Sequence, residues 1–215
     1  MHAPHPAAPG AHAGDEPVLA GVADGLRTYR DDYRARRHAT PPARRWGVAL
    51  AAVLVAGPAG ILGAFLGAFA SVGSLPVVVF AVVLIGPAVE EFVKAAGGLY
   101  LAEQRPWLVP AGWALVAIVV AGGLGFAAIE NWVYLEVYIE DPSDAIIRWR
   151  WIFGPLIHGS ASLLAGLGVR RIWVHTDTTG SKPDATMATS WFIAAVALHG
   201  SYNLVAVVLE ALEVI

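Results

Sequence analysis

Long apolar stretches dominate the chain after residue 45, and few charged positions interrupt them. Five stretches reach the roughly 20 residues that a helix needs to cross a bilayer. They run over about Trp46–Ala70, Pro76–Ala102, Trp107–Trp132, Trp151–Trp173 and Ala188–Leu209. Tryptophans mark most of their ends, at the headgroup level that indole rings favour. The pattern predicts an all-α fold class, a polytopic membrane helix bundle with about five transmembrane helices.

The first 45 residues have a different character. Residues 1–14 consist mainly of Ala, Pro, His and Gly, a composition that cannot build a hydrophobic core. A run rich in arginine follows between Arg27 and Arg37 and predicts a short charged helix on the membrane surface. The chain is therefore expected to divide into a disordered, charged cytoplasmic tail, residues 1–45, and a transmembrane domain, residues 46–215.

Basic residues are distributed unevenly between the two sides of the predicted bundle. The tail and the two loops on its side carry eleven, and the opposite side carries two, Arg148 and Arg150. Because short flanks rich in arginine and lysine stay in the cytoplasm, the N-terminus is predicted to be cytoplasmic.

Composition narrows the function further. Hydrophobic residues make up 57% of the chain and charged residues 14%, values typical of an integral membrane protein. The net charge of −3 gives no electrostatic basis for nucleic-acid binding. Cysteine is absent, which excludes disulfides, thiolate metal sites and cysteine nucleophiles.

A cluster of three charges interrupts the second span. Glu90, Glu91 and Lys94 follow a long stretch without charge, and ionisable residues inside spans usually face a bundle interior and act there. Pro87 predicts a kink before the acids, or a new helix with the acids in its first turn. Glu90 and Lys94 share a helix face, and a purely structural ion pair would explain them. That pairing leaves Glu91 without a partner, so Glu91 is favoured over Glu90 as the catalytic base.

Further polar residues lie in the last three spans. His158 and Ser162 share a face of span four, and His199 and Asn203 share a face of span five. Imidazole serves as a general base or metal ligand, and an asparagine amide can stabilise an oxyanion. Ser162 is the weaker candidate, since hydroxyls in membrane helices commonly bond to the preceding turn.

Depth in the membrane tests whether these groups can meet. At about 1.5 Å of rise per residue, the acidic pair lies at a depth similar to that of His199, and a tilt of span four brings His158 within reach. Glu130, near the end of span three, falls close to the outer interface. It is therefore expected to lie apart from the others.

The motifs together resemble a known family. They are Pro87–Lys94 (PAVEEFVK), Gly125–Asn131 (GFAAIEN), the span with His158, and His199–Asn203 (HGSYN). In this order, each in its own span, they resemble the PrsW family of intramembrane proteases. That family is similar in motif layout to the CAAX prenyl endopeptidases and bacteriocin-processing enzymes. The resemblance covers roughly residues 75–210 and makes residues 46–215 a protease-like domain.

The resemblance implies a set of site residues. The expected catalytic residues are Glu90, Glu91, His158, His199, Asn203 and Glu130. Glu90 and Glu91 would include the catalytic carboxylate, His158 would help to activate water, and Glu130 matches a motif acid without an assigned role. His199 and Asn203 match the positions that would stabilise the oxyanion.

Metal dependence stays open at this point. A divalent metal such as zinc would take His158, His199 and Glu91 as ligands and leave a fourth position open. The helical His-Glu-x-x-His signature is missing.

The sequence thus favours an intramembrane endopeptidase in a membrane, with a bacterial plasma membrane as the expected location. The resemblance implies a single-span membrane-protein substrate, such as an anti-sigma factor, with membrane lipid as the other partner. Two alternatives use the same residues. One is a proton-coupled transporter or channel-like protein, because Glu and His also form proton relays in spans. The other is a membrane scaffold without catalytic activity.

Overall fold

A computed structural model describes residues 28–69 and 75–212, and in this part of the chain every regular element is a helix. The α-helices are α1 (Tyr29–Ala39), α2 (Pro42–Phe69), α3 (Leu75–Phe80), α4 (Gly86–Gln104), α5 (Gly112–Val133), α6 (Asp144–Thr179) and α7 (Thr189–Ala211). Two π-helical segments, Ala81–Ile85 and Tyr134–Tyr138, continue α3 into α4 and extend α5. Short 3-10 helices occur at Pro106–Leu108 and Ala185–Ala188.

The predicted fold class is confirmed. Among the described residues, four helical stretches are long and apolar enough to cross a membrane: Pro76–Gln104, Gly112–Tyr138, Asp144–Thr179 and Ala185–Leu209. They correspond to predicted spans two to five. Helix α2 has 28 residues and covers the first predicted span, whose last residue, Ala70, lies outside the described part. The predicted tail also lies outside it up to residue 27.

Span three begins and ends later along the chain than predicted. Trp107 belongs to a separate 3-10 helix, and α5 begins only at Gly112. At its other end the helix continues beyond Trp132 to Tyr138. This shift matters for Glu130, because eight residues of helix, or about 12 Å, now separate it from the helix end.

The segment before Pro87 is not a sharp break. Residues 81–85 form one π-helical turn, in which the N–H of Gly86 bonds to the carbonyl of Ala81, and α4 then begins with Pro87 in its first turn. Proline has no N–H to donate to the preceding turn, and its fixed φ suits the first turn of a helix, so Pro87 is tolerated here and leaves a carbonyl of the π-helical turn without a helical donor. The acidic pair follows in the second turn of α4, so the expected first-turn position was wrong.

Small residues let the helices around α5 approach closely. A Cβ at Gly122 would meet the backbone carbonyl of Lys94 on α4, and one at Gly123 would overlap the side chain of Ser162 on α6. Helix interfaces in lipid are commonly built this way, because packing replaces the hydrophobic effect as the attraction between helices. The glycine pair therefore brings α4 and α6 against neighbouring faces of α5 at one level.

Helix α1 is attached to one end of the bundle. The Tyr33 hydroxyl donates to Asp177, and the Arg30 guanidinium donates to the carbonyl of Thr179, both near the end of α6. Arg37 donates to the carbonyl of Val109, before α5. Burial, and then the bond to Asp177, raise the pKa of Tyr33. The N-terminal helix and the loops after α4 and α6 thus lie on the same side.

Candidate active site

Lys94 lies at the centre of a buried polar cluster. Its Nζ is 2.8 Å from Oε1 of Glu91 and 3.4 Å from Oε2 of Glu90, on the same helix. Across the helix interface it is 2.7 Å from Nδ1 of His158. An ammonium group is only a donor, so Nδ1 of His158 must accept. One lysine therefore joins the α4 carboxylates to α6.

His158 continues the cluster towards α5. Because its Nδ1 accepts from Lys94, its Nε2 carries the proton and donates to Oε2 of Glu130, at 2.9 Å. Arg150, two turns earlier on α6, lies 3.5 Å from the same carboxylate oxygen. The arginine and Glu130 thus fix both the orientation and the tautomer of His158.

His199 brings α7 to the other side of the cluster. Its Nδ1 lies 2.9 Å from Oε1 of Glu91 and donates to it, which leaves the lone pair on Nε2. That Nε2 lies 3.7 Å from Oε2 of Glu90. The two imidazole rings meet edge to face with centroids 4.6 Å apart. His199 therefore presents an acceptor towards Glu90.

Phe126 closes one side of the cluster. Its ring lies 4.1 Å from Nζ of Lys94, a cation–π contact, and its centroid is 5.1 Å from that of His158. The Phe126 side chain is fully buried. An apolar wall of this kind lowers the local dielectric and strengthens the charge interactions beside it.

Glu130 is part of the cluster, contrary to the expectation from depth. It bonds to His158 and is paired with Arg150. The expectation failed because span three was placed too early along the chain. Span four was likewise expected to begin near Trp151, whereas α6 begins at Asp144.

Lys94 pairs more closely with Glu91 than with Glu90, the reverse of the expected pairing. A spacing of three residues also places side chains on one helix face, so spacing alone does not separate the two. The Glu91 side chain has no exposed area, and Glu90 keeps 9%. Oε1 of Glu91 accepts from both Lys94 and His199, while Glu90 is the carboxylate that solvent reaches.

Asn203 is directed elsewhere. Its amide Nδ2 donates to the carbonyl of Val82, at 2.9 Å, within the π-helical turn. Beside it, a Cβ at Gly200 would overlap the carbonyl of Val83. A π-helical turn leaves carbonyls without their usual partners, and Asn203 satisfies one of them. The structure thus brings together five of the six expected residues and gives Asn203 a bond outside the cluster.

Ser162 lies one turn beyond His158, packed against Gly123. Its hydroxyl is buried and has no hydrogen-bond partner among the described residues. A serine nucleophile needs a base within hydrogen-bond reach, so the geometry gives no support to that role.

The donor set fits a divalent cation. Glu90, His158 and His199 are all buried, and one ligand atom from each lies within 4.8 Å of the others. Two imidazoles and a carboxylate are the protein ligands of many catalytic zinc sites. Glu90, rather than the expected Glu91, completes this set. Lys94 opposes a cation here, because its ammonium bonds to His158.

Arg150 was missed as a site residue. Its place in the sequence predicts only a charge at the outer interface of the bundle. Its spacing of eight residues from His158 puts both on nearly the same face of one helix, which was the available signal. Its guanidinium also lies 3.6 Å over the ring of Tyr134. The continuation of α6 towards its N-terminus brings this charge to Glu130.

Comparisons with known proteins agree with the motifs. A sequence model described as PrsW family intramembrane metalloprotease matches residues 40–215, well over half of the chain. Neither the curated proteins nor the solved structures include a significant match. The matched range contains every residue of the carboxylate–histidine cluster, and the chain belongs to the PrsW family of intramembrane metalloproteases.

Proposed function

We propose that this intramembrane protease hydrolyses its substrate with a water molecule held between Glu90 and His199. The observation that supports this is the 3.7 Å separation of Oε2 of Glu90 from Nε2 of His199, both of which accept hydrogen bonds. A water molecule between them would donate to each. Glu90 is also the member of the acidic pair with exposed side-chain area.

In this proposal Glu90 acts as general base. As the water oxygen forms a bond to the carbonyl carbon, its proton passes to the Glu90 carboxylate. When the carbon–nitrogen bond breaks, the same proton passes to the leaving amine. Glu91 holds Lys94 and His199 in place by accepting from both. Glu130, which is paired with Arg150, accepts from His158 and holds it in place in the same way.

The oxyanion role of Asn203 is retained within the proposal. An amide nitrogen carries two hydrogens, and the bond to Val82 uses one of them. In a metal-bound form, Glu90, His158 and His199 would instead be the ligands of a divalent metal such as zinc, which polarises a bound water or carbonyl as a Lewis acid, and Glu90 would then no longer serve as the base.

The substrate is proposed to be a single-span membrane protein, such as an anti-sigma factor. The cluster lies inside a bundle of membrane-spanning helices, and its acidic pair, its lysine and its two histidines are buried. The peptide bond to be cleaved must therefore lie in a substrate segment that enters the bundle. A single apolar helix that unwinds locally can enter in this way.

Cleavage of a single-span reporter in proteoliposomes tests the assignment. Glu90→Gln is expected to lower the cleavage rate at least about 100-fold, the usual contribution of a general base. Its unfolding midpoint should stay near that of the wild type, because the contact of Glu90 with Lys94, at 3.4 Å, is the longer of the lysine's two carboxylate contacts. Glu91→Gln should lower both the cleavage rate and the unfolding midpoint, because it leaves Lys94 buried with a weaker partner.

Glu103→Gln is the matched control. Glu103 lies on the same helix, α4, outside the cluster, so its loss removes an equal charge without touching the site. Full cleavage by Glu90→Gln would refute the base assignment. Destabilisation by the cluster variants, with no cleavage even by the wild type, would favour the scaffold alternative.

A further inference from the structure

An open pocket of about 330 Å³ lies where α1 ends and α2 begins, far along the chain from the carboxylate–histidine cluster. Its walls combine basic side chains with a proline corner: Arg34, Arg37, His38, Thr40, Pro41 and Arg45. Its permanent charges come from arginine alone. A guanidinium offers a planar pair of donors that matches phosphate oxygens, which a lysine ammonium does not.

Two of these arginines lack partners. Nε of Arg45 is buried and makes no hydrogen bond, and Arg34 makes no ion pair or hydrogen bond within the described residues. Other arginines of α1 are paired: Arg36 lies 2.8 Å from Asp32, and Arg37 lies 3.3 Å from Asp177. A buried donor without an acceptor is costly. Arg34 therefore offers free donors to an anionic ligand, and Arg45 lines the same pocket with one donor unsatisfied.

The backbone adds to the positive potential. Helix α2 starts at Pro42, which lines the pocket, so the positive end of the α2 dipole lies at this corner. Two carbonyls in the last turn of α1, those of Arg36 and Arg37, already have donors in Thr40. Thr40 donates its N–H to the carbonyl of Arg37 and its hydroxyl to that of Arg36.

The pocket lies at headgroup level. Trp46, which is 57% exposed, follows Arg45 directly at the start of the apolar part of α2. Trp107 lies beside the end of α1, with its ring 4.6 Å from the Arg36 guanidinium. Indoles favour the membrane–water interface, and basic pockets at this level bind anionic lipid headgroups.

We propose that the pocket binds the phosphate group of an anionic phospholipid, with Arg34 and Arg45 as the ligand-contacting side chains. The bound headgroup would hold the corner between α1 and α2 at the membrane surface. The same phosphate chemistry is available from free phosphate in solution, and the experiment separates the two sources.

The experiment places the full chain in phosphatidylcholine nanodiscs with phosphatidylglycerol as a minor component. Native mass spectrometry then measures how many phosphatidylglycerol molecules stay bound after release from the disc. Arg45→Gln is expected to weaken retention about tenfold, the scale of one charge-assisted hydrogen bond. Arg34→Gln should weaken it similarly, and its exposed side chain makes loss of folding less of a concern.

Arg44→Gln is the matched control, because it removes the same charge from the neighbouring position but does not line the pocket. It should retain phosphatidylglycerol as the wild type does. An equal loss in Arg44→Gln and Arg45→Gln would overturn the proposal in favour of diffuse attraction of a basic flank to the membrane. Unfolding midpoints in pure phosphatidylcholine nanodiscs show whether a variant is folded.

Inorganic phosphate distinguishes the two sources. A lipid site should release phosphatidylglycerol only partly when phosphate is added, because the acyl chains contribute to its retention. Complete displacement by phosphate, together with phosphate binding to the detergent-solubilised protein, would overturn the lipid assignment. Absence of selective retention in the wild type would overturn the site itself.

Discussion

Lys94 decides how much charge the buried cluster carries. Three carboxylates, those of Glu90, Glu91 and Glu130, face two basic side chains, Lys94 and Arg150. With both histidines neutral, one negative charge is left over. Buried charges are tolerated when they are paired, so the cluster favours one additional positive charge. A proton or a bound cation supplies it.

A substitution of Lys94 tests the opposition between this residue and a metal. Lys94→Met removes the ammonium from Nδ1 of His158 and from both carboxylates. Two unit charges about 4 Å apart interact by about 4 kcal/mol at the effective dielectric of a protein site. Zinc binding is therefore expected to tighten at least about tenfold, measured as metal content after equilibration with zinc buffers.

Lys94→Arg is the control for this measurement, because it keeps the positive charge beside His158. It should bind zinc no more tightly than the wild type. The interpretation of Lys94 as a competitor of the metal fails if Lys94→Met holds no more zinc than the lysine form.

At the scale of elements, the π-helical turn and α7 depend on each other. The turn is followed by Pro87, which has no N–H to donate back to it, and α7 approaches the carbonyls of Val82 and Val83 through Asn203 and Gly200. His199 lies between this contact and the acidic pair. The position of the imidazole is thus set partly by a backbone contact outside the cluster.

Asn203→Ala is expected to destabilise the protein by about 1–3 kcal/mol, because it leaves the Val82 carbonyl without a donor inside the membrane. The unfolding midpoint should fall in both detergent and lipid. Cleavage should fall as well, since α7 carries His199. Measuring both quantities separates this positioning role from a role restricted to the oxyanion.

Ser201→Ala provides the comparison for Asn203→Ala. Ser201 is exposed, and its hydroxyl bonds to the carbonyl of Ala197 in its own helix, so its loss should change neither quantity much. If Asn203→Ala lowers the cleavage rate and leaves the unfolding midpoint unchanged, the bond to Val82 contributes nothing to stability.

Helix type and approximate span positions could be predicted from the sequence, because long apolar runs are a local property. The π-helical turn could not, because the groups that stabilise it, Gly200 and Asn203, are more than a hundred residues away along the chain. The predicted position of Glu130 was wrong for a similar reason. Its depth depends on where α5 begins, and a 3-10 helix at Trp107 displaces that start to Gly112.

For the candidate site, residue types and spans could be predicted, but pairings could not. The acidic pair and the two histidines were expected to meet, and they do. Lys94 bonds more closely to Glu91 than to Glu90, and His199 on α7 bonds to the same Glu91 oxygen. The closer pairing therefore depends on where α7 places His199. Such pairings arise from the packing of α4, α6 and α7 together, and no single helix contains that information.

At the scale of the whole molecule, α1 marks the end of the bundle that carries most of the basic residues. Its bonds to Asp177, Thr179 and Val109 put the N-terminal helix beside the loops after α4 and α6. These are the segments that carry the excess of basic residues. Because positive flanks stay in the cytoplasm, the cytoplasmic orientation of this side remains our prediction, and Glu130 and Arg150 would lie towards the outer side.

The absence of cysteine makes this orientation directly measurable, since a single introduced cysteine is the only thiol in the chain. Ala185 is exposed after α6, and Glu140 is exposed between α5 and α6, at the opposite end. In intact cells a membrane-impermeant maleimide should label Glu140→Cys and leave Ala185→Cys unlabelled. After the cells are broken, both variants should react, which confirms that each thiol is accessible. The reverse pattern in intact cells would place α1 and the arginine pocket outside the cell and would invert the predicted topology.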